Sequence, residues 1–441
     1  MRVGFAMFEN NNYKVNIYDI WACFYTFVII LSSMFLPTIS FTTFGLLFLL
    51  AMPFINCPEH YIGICFLFST IAYYFHGASE GLYSIYTILV FLIFINSLRK
   101  RNTHINLKCM IPLIGLCIIA VISFYQSQFN YSNGLFKLLY IIIVTTIIGN
   151  FYIIDIRKLS LLLPKIAGTM IIGYLLSIVV AGSIVDGRLT ISNTVNTNSF
   201  GMSCAQLATI MIVSYTISKT CKSIKLCLCI IVILLAFLSG SRGALLAFMA
   251  ASILIFLLKA KRSGYFTGKL MKLLLCVGIL CAILSPFVSS LEVDLSRFDI
   301  KSIIDSGGSR RTLIYASVLQ FVIGGGYWMW GYGPGHYCSN RIIKSLIGWD
   351  YAHTHNTIIE SFGELGIGGV LFTIVIFIKS LVNINRKTKY VKEAYILYGM
   401  LICIFIHGMS ESYFCNISFW LILAVCRNEF ININVENEVL T

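Results

Sequence analysis

Two apolar runs joined by a very short turn are the stretch that decides the fold. Residues 224–258 read IKLCLCIIVILLAFLSGSRGALLAFMAASILIFLL. Each run approaches the length of a helix that crosses a bilayer core, which needs roughly 17 to 25 residues. Ser239-Gly240-Ser241-Arg242-Gly243 joins them. The pattern predicts a helical membrane hairpin with an arginine at the membrane boundary.

The composition of all 441 residues supports the same interpretation. Hydrophobic residues make up 58% of the chain and charged residues 11%, against about 25% charged in soluble domains, and the mean hydropathy is +0.86. Disorder is excluded by the same numbers. We predict an all-α, polytopic integral membrane protein, 1–441 forming a single membrane domain of about 14 transmembrane helices (12–14). The expected spans are 20–36, 40–56, 60–76, 82–98, 109–125, 135–154, 161–182, 200–217, 224–240, 243–258, 269–287, 366–382, 394–410 and 414–430.

Basic residues separate the two sides of the predicted bundle. With the N-terminus inside and the spans alternating, 23 of the 32 Lys and Arg residues lie in the inside segments. This split favours an N-in, C-in topology, because cytoplasmic loops are enriched in Lys and Arg. It also explains the net charge of +14 without a nucleic-acid partner. The nine outside residues are Lys137, Arg188, Arg242, Arg297, Lys301, Arg310, Arg311, Arg341 and Lys344.

One outside segment, 288–362, is far longer than the other loops. A loop of this length is uncommon unless it is functional. Residues 309–323 are predicted to form a short helix on the membrane surface, and the sequence Gly331-Tyr332-Gly333-Pro334-Gly335 after it predicts turns. The segment also holds three of the seven histidines and three of the five tryptophans, which are His336, His353, His355, Trp328, Trp330 and Trp349.

Three outside features are candidates for chemistry. Arg242 is either a snorkelling arginine that marks a helix end or an anion contact, since an isolated arginine at this depth is costly. Arg188 lies in a polar loop, 183–199, that is either merely solvated or part of a binding site. His353 and His355 could begin a metal site, but no closely spaced third and fourth ligand accompanies them. A structural loop histidine, or a role in proton transfer or substrate binding, remains for this pair.

Four short motifs occur in order across residues 183–383. They are Ser241-Arg242-Gly243, Ser309-Arg310-Arg311, Gly331-Tyr332-Gly333-Pro334-Gly335, and His355-Asn356 followed after nine residues by Gly366 and Gly369. Together with the large outside loop, this series resembles the bacterial O-antigen polymerase and O-antigen ligase superfamily. Residues 1–160 are similar to it only as hydrophobic spans.

The resemblance implies glycan transfer at the periplasmic face of the bacterial inner membrane. The donor it implies is an oligosaccharide on undecaprenyl diphosphate, the enzyme being a metal-independent glycosyltransferase without a cofactor. Membrane lipid and a chain-length regulator protein are the implied partners. We favour a polymerase that joins repeat units, because fourteen candidate spans are predicted, whereas the resemblance implies about twelve for a ligase. The alternatives are a ligase that transfers the glycan to lipid A–core and a lipid-linked oligosaccharide flippase.

Site roles follow from the chemistry of such a transfer. His355 is the expected base for the acceptor hydroxyl, and Arg242 is expected to stabilise the departing diphosphate. The other candidates are expected to bind substrate: Arg188, Arg310 and Arg311 toward phosphate, Asn356 and Glu360 toward the histidine ring or sugar, and His353 as the competitor of His355. The aromatic residues 327–332 offer stacking faces for sugars or belong to an interfacial aromatic belt.

Overall fold

A computed structural model describes the protein over residues 16–35, 41–68, 84–99, 107–127, 132–151, 154–191, 196–218, 220–263, 311–335, 344–345, 348, 354–414 and 416–428. These residues are mostly helical, as predicted. The helices are α1 (Ile17–Phe35), α2 (Phe41–Ala51), α3 (Pro58–Phe68), α4 (Ser84–Arg99), α5 (Leu107–Gln126), α6 (Ser132–Phe151), α7 (Ile156–Ala181), α8 (Thr197–Ile217), α9 (Lys222–Leu238), α10 (Arg242–Ser263), α11 (Arg311–Gly324), α12 (Thr357–Lys387), α13 (Tyr395–His407) and α14 (Ile417–Arg427). Two short 3-10 helices, Met52–Asn56 and Lys392–Ala394, and two strands, β1 (Ser183–Val185) and β2 (Arg188–Thr190), complete the described elements.

Thirteen of the fourteen predicted spans overlap a helix, and the span predicted at 269–287 lies outside the described residues. Within the described part, α7, α8, α10 and α12 are long and apolar enough to cross a membrane. Shorter apolar stretches of 10 to 17 residues lie in α1, α2, α5, α6 and α11 within the same described part. The number of crossings and the side that each helix end faces therefore remain predictions.

Helix α8 lies at the centre of the described bundle. It packs against α7, α9, α10 and α13, and most of its residues are buried because the sequence is apolar or small on every face. Small residues allow the neighbours to approach closely, as in other membrane bundles. A Cβ added to Gly399 of α13 would lie 2.5 Å from Ile255 of α10 and 3.0 Å from Thr209 of α8. The core is therefore centred on helices that border the predicted site.

A two-stranded hairpin interrupts the otherwise helical chain between α7 and α8. Asp186 and Gly187 form its turn with positive φ angles of 50° and 67°, the combination that a tight two-residue hairpin requires. Val185 pairs with Arg188 across this turn. The loop predicted at 183–199 thus contains ordered strands at its start, and the first residue of β2 is the candidate Arg188.

Helix α12 begins nine residues before the apolar run that predicted it. The run begins at Gly366, whereas the helix starts at Thr357 and includes the buried Glu360 and Glu364. A hydropathy window excludes these carboxyl groups, but the fold accommodates them in the helix. The helical geometry breaks at Gly366, whose φ is 66° and ψ −161°. The predicted short helix at 309–323 is α11, shifted by one or two residues.

Candidate active site

His355 lies just before α12 in a left-handed backbone conformation. Its φ is 55°, which is uncommon for a residue with a side chain. The Tyr315 hydroxyl of α11 donates to the His355 carbonyl oxygen at 3.0 Å. Burial raises the pKa of Tyr315, so its hydroxyl remains protonated and able to donate. A sparsely populated backbone conformation supported in this way is typical of a functional position.

Asn356 is the N-cap of α12. Its Oδ1 accepts hydrogen bonds from the backbone N–H groups of Ile358 and Ile359 at 3.0 and 3.1 Å, which satisfies donors that a helix start leaves unpaired. Its Nδ2 donates to the carbonyl oxygen of Met409 at 3.1 Å. Both ends of the amide therefore contact the protein and tie the start of α12 to the segment after α13.

Glu360 secures the residue that precedes His355. It is fully buried, and its Oε2 accepts hydrogen bonds from the backbone N–H of Thr354 at 2.8 Å and from the Thr354 hydroxyl at 2.6 Å. The Thr354 hydroxyl also lies 3.0 Å from the Asn356 carbonyl oxygen. These contacts fix the loop on both sides of His355, so Glu360 supports the histidine through its backbone.

Glu411 contacts the His355 ring directly. His355 Nδ1 lies 3.0 Å from Glu411 Oε1, and the two side chains are 17% and 13% exposed. An ionised carboxylate can only accept, so facing one, Nδ1 carries a proton, and in the neutral imidazole Nε2 is then the acceptor nitrogen. The pair joins residues that lie 56 positions apart in the chain.

Arg188 is connected to the same carboxylate through Asn198 in the first turn of α8. The Asn198 Nδ2 donates to Glu411 Oε2 at 3.5 Å, and Asn198 Oδ1 accepts from Arg188 Nη2 at 2.6 Å. Arg188 is 8% exposed, and its Nε donates to the Ser239 carbonyl oxygen at 2.7 Å. The guanidinium thus links the β-hairpin to the turn that precedes Arg242.

Arg242 is the first residue of α10 and is partly buried. The turn before it packs tightly on both sides: a Cβ added to Gly201 of α8 would lie 2.5 Å from the Ser239 hydroxyl, and one added to Gly243 would overlap Ser410. The predicted tight turn between two spans is present. It places Arg242 at the edge of the segment that carries Glu411.

Arg311 begins α11 and lies within electrostatic range of the site. Its positive charge acts on Tyr315, which holds the His355 carbonyl, and on His407 at the end of α13. Glu411 acts on the same two side chains. Cations from β2, α10 and α11 therefore all border the region around the His355–Glu411 pair.

The glycine-rich turn, taken together with the three residues before it as 328–335, docks on the break in α12. Tyr332 N–H donates to the Gly363 carbonyl at 2.8 Å, and Ile367 N–H donates to the Trp328 carbonyl at 2.9 Å. A Cβ on Gly366 would lie 2.6 Å from the backbone nitrogen of Trp330. Gly366 therefore admits the backbone of this turn. Gly368 contacts a neighbouring helix, since a Cβ there would overlap Ile119 of α5.

Residues 227–374 match a family model described as O-antigen ligase. The matched region contains Arg242, Arg311, His355 and the docked turn. The match covers about a third of the chain and agrees with the resemblance of its motifs to the O-antigen polymerase and ligase superfamily. Members of this superfamily are glycosyltransferase-like enzymes of lipopolysaccharide biosynthesis. No curated protein matches the chain significantly.

Two of the eight site residues predicted from the sequence, Arg310 and His353, lie outside the described residues. The other six are placed: His355, Arg188 and Arg242 border one hydrogen-bonded group, Arg311 is in electrostatic range, and Asn356 and Glu360 hold the backbone around His355. Among the residues whose placement is given, no three His, Cys, Asp or Glu side chains gather as a metal site would require. Metal independence remains a prediction.

Three residues of the site were not predicted from the sequence: Glu411, Tyr315, and Asn198, which connects Glu411 to Arg188. Glu411 carries a signal that was available: it is a lone carboxylate in the short segment between the last two apolar runs, on the predicted side of His355. Tyr315 is indistinguishable in the sequence from the other aromatic residues of an apolar helix.

The arrangement has the parts that a group transfer from a phosphate needs. With Nδ1 facing Glu411, the imidazole presents Nε2 as a proton acceptor. The arginines supply positive charge, and a guanidinium binds phosphate oxygens bidentately. Arg188 donates to the Ser239 carbonyl oxygen and to Asn198, so part of its guanidinium is committed to holding the protein together.

Proposed function

We propose that the protein is an O-antigen polymerase. It joins undecaprenyl-diphosphate-linked oligosaccharide repeat units at the periplasmic face of the inner membrane. The observation that carries this proposal is the His355–Glu411 pair, with Arg188 connected to it and Arg242 on the adjoining turn. This combines a base with cations, and His355 and Arg242 lie within the region that matches the family model, 227–374.

The transfer balances with these groups. The acceptor sugar hydroxyl attacks the anomeric carbon of the donor, and His355 Nε2 takes the hydroxyl proton. The bond between the anomeric carbon and the phosphate oxygen breaks, and undecaprenyl diphosphate leaves with the electron pair. Arg242 stabilises the charge that develops on this leaving group, where preorganised cations are worth more than in water. The histidine later releases its proton to solvent.

A ligase is the second candidate, because the matching family model is described as O-antigen ligase. The polymerase is favoured by the fourteen predicted spans. A flippase is a weaker third candidate. It would need ionisable side chains along a cavity within the spans. Among the described residues, the buried Glu59, Lys387 and Arg427 lie at helix ends, and the buried Glu364 precedes the apolar run of α12 that begins at Gly366.

Deletion of the gene followed by electrophoresis of surface lipopolysaccharide distinguishes the three activities. Loss of a polymerase leaves core bearing a single repeat unit. Loss of a ligase leaves bare core, and loss of a flippase leaves bare core with the lipid-linked repeat trapped facing the cytoplasm. Complementation with the unaltered chain must restore long polymer, and a bare-core phenotype would overturn the polymerase assignment.

A further inference from the structure

Glu411 has a geometry that a chance surface carboxylate would not have. Its Oε1 lies 3.0 Å from His355 Nδ1, and its Oε2 lies 3.5 Å from Asn198 Nδ2. Each oxygen of one largely buried carboxylate therefore faces a different group. One oxygen contacts the proposed base, His355, and the other contacts Asn198, which accepts a hydrogen bond from Arg188.

We propose that Glu411 is a positioning residue for the transfer, acting on His355 through Nδ1 and on Arg188 through Asn198. This inference rests on the proposed function, because it assigns a role within that site. Glu411 need not touch substrate. Its carboxylate fixes which nitrogen of the imidazole carries the proton, in which direction the ring points, and where the Arg188 guanidinium lies.

The first effect of Glu411, on the tautomer of His355, follows from the donors and acceptors that an imidazole has. A neutral imidazole has one donor nitrogen and one acceptor nitrogen. Glu411 holds the proton on Nδ1 and leaves Nε2 to accept the hydroxyl proton of the acceptor. When the imidazole becomes positively charged during transfer, the same carboxylate stabilises it. An oriented carboxylate behind a histidine base has this double role in hydrolases.

The second effect is alignment of cation and base. The path from His355 through Glu411 and Asn198 to Arg188 is made of side-chain contacts, and Arg188 Nε then binds the carbonyl oxygen of Ser239, three residues before Arg242. A shift of the carboxylate would move the base and relax the anchor of the arginine-bearing turn together. A fixed geometry is what an in-line transfer demands, since small misplacements of reacting groups are costly.

The backbone around Glu411 is held independently of its carboxylate. Thr357 N–H donates to the Gly408 carbonyl at 2.7 Å, and the Thr357 hydroxyl donates to the Glu411 carbonyl at 3.2 Å. The same hydroxyl oxygen accepts from Tyr413 N–H at 2.9 Å. A change confined to the Glu411 side chain therefore leaves the scaffold of this turn in place, which makes Glu411→Gln a fair test.

The kinetic test compares Glu411→Gln with Glu393→Gln in purified, reconstituted protein that polymerises lipid-linked repeats. Glu393 lies in the 3-10 helix at the opposite end of α13 and serves as the matched control. We expect Glu411→Gln to lower kcat by about 10²-fold, within the range of general-base catalysis, with a much smaller change in donor KM. Glu411→Asp should recover part of the loss, and Glu393→Gln should match the unaltered protein. An unchanged kcat in Glu411→Gln overturns the proposal.

A double variant separates positioning from a general structural role. If Glu411 acts mainly through the base, His355→Ala combined with Glu411→Gln should be little slower than His355→Ala alone. Multiplication of the two single losses would show that Glu411 acts independently of the histidine and would overturn the proposal. If His355→Ala and Glu411→Gln both kept the activity of the unaltered protein, the proposed function itself would be refuted.

A spectroscopic measurement reports the tautomer without activity. In protein labelled with 15N histidine, the signal lost in His355→Ala identifies this ring, and it should show the Nδ1–H tautomer. In Glu411→Gln the same ring should move toward a mixture, since an amide can accept or donate. An Nε2–H tautomer in the unaltered protein, or no change in the variant, contradicts the assignment.

Discussion

Replacing Gly366 by alanine tests how the glycine-rich turn and α12 depend on each other. Gly366 has φ 66° and ψ −161°, a region that essentially only glycine adopts. A Cβ at this position would overlap the Met329 carbonyl and lie 2.6 Å from Trp330 N. Both obstacles are backbone atoms, so rotation of a side chain cannot relieve them. Either the break or the turn must move.

The cost can be estimated from the contacts at the break. The backbone conformation alone costs a residue with a Cβ about 1–3 kcal/mol. Three hydrogen bonds join the turn to α12, from Tyr332, Gly333 and Ile367, and each is worth about 1 kcal/mol net. Loss of one or two of them brings the expected loss in the free energy of unfolding to roughly 2–5 kcal/mol.

The loss in the free energy of unfolding is measured by denaturing the purified protein in mixtures of mild detergent and SDS. Polymer formation in cells is followed on gels, beside a blot that measures protein abundance. Gly324→Ala is the matched control, because a Cβ on that glycine at the end of α11 meets nothing within 4 Å. We expect Gly366→Ala to be strongly destabilised and to form little polymer, with Gly324→Ala close to the unaltered protein. Equal stability of the two variants would refute the packing argument.

Three further results are expected. Arg242→Ala should abolish polymer, and Arg242→Lys should retain only a little, because lysine keeps the charge but loses the bidentate fork. Near-normal polymer in Arg242→Lys would show that only the positive charge of this side chain matters. His355→Ala should lose about 10²–10⁴-fold in transfer at normal abundance by blot, whereas His353→Ala should be milder; loss only in step with protein would make His355 structural. EDTA should leave reconstituted activity intact, and activity that returns only with a divalent ion would reveal a metal site.

The sequence predicted the parts of the fold that depend on local pattern. The hairpin expected at 224–240 and 243–258 is α9 and α10, because an apolar run of sufficient length and a tight polar turn act within a few residues. The start of α12 was predicted too late. Glu360 and Glu364 lower the local hydropathy, yet Glu360 binds Thr354 and α12 buries both carboxyl groups. Tertiary contacts decide such boundaries, and a window of sequence does not contain them.

In the candidate site too, residues in local motifs were predictable and residues brought together by tertiary contacts were not. His355 and Arg242 stand in short motifs, so their residue types and spacing identified them. Glu411 stands in no motif, and its contact with His355 joins residues 56 positions apart. Asn356 was expected to act on the ring or sugar, but its amide caps α12 and binds the Met409 carbonyl. The N-cap role was readable from an asparagine before a helix, once the helix start was placed correctly.

The nine residues between Asn356 and Gly366 act as a fixed spacer in the His-Asn signature. At the start of this spacer, Asn356 caps α12 and contacts Met409 beside Glu411; at its end, Gly366 admits the glycine-rich turn. Helical geometry sets the two points about 15 Å apart, and one inserted residue would add 1.5 Å and rotate one point about 100° from the other. An insertion before Glu360 would also take Glu360 away from Thr354. The conformation of His355 and the docking of the turn on α12 therefore depend on one helix of constant length, which explains why the motif specifies a number of residues and leaves most of their identities open.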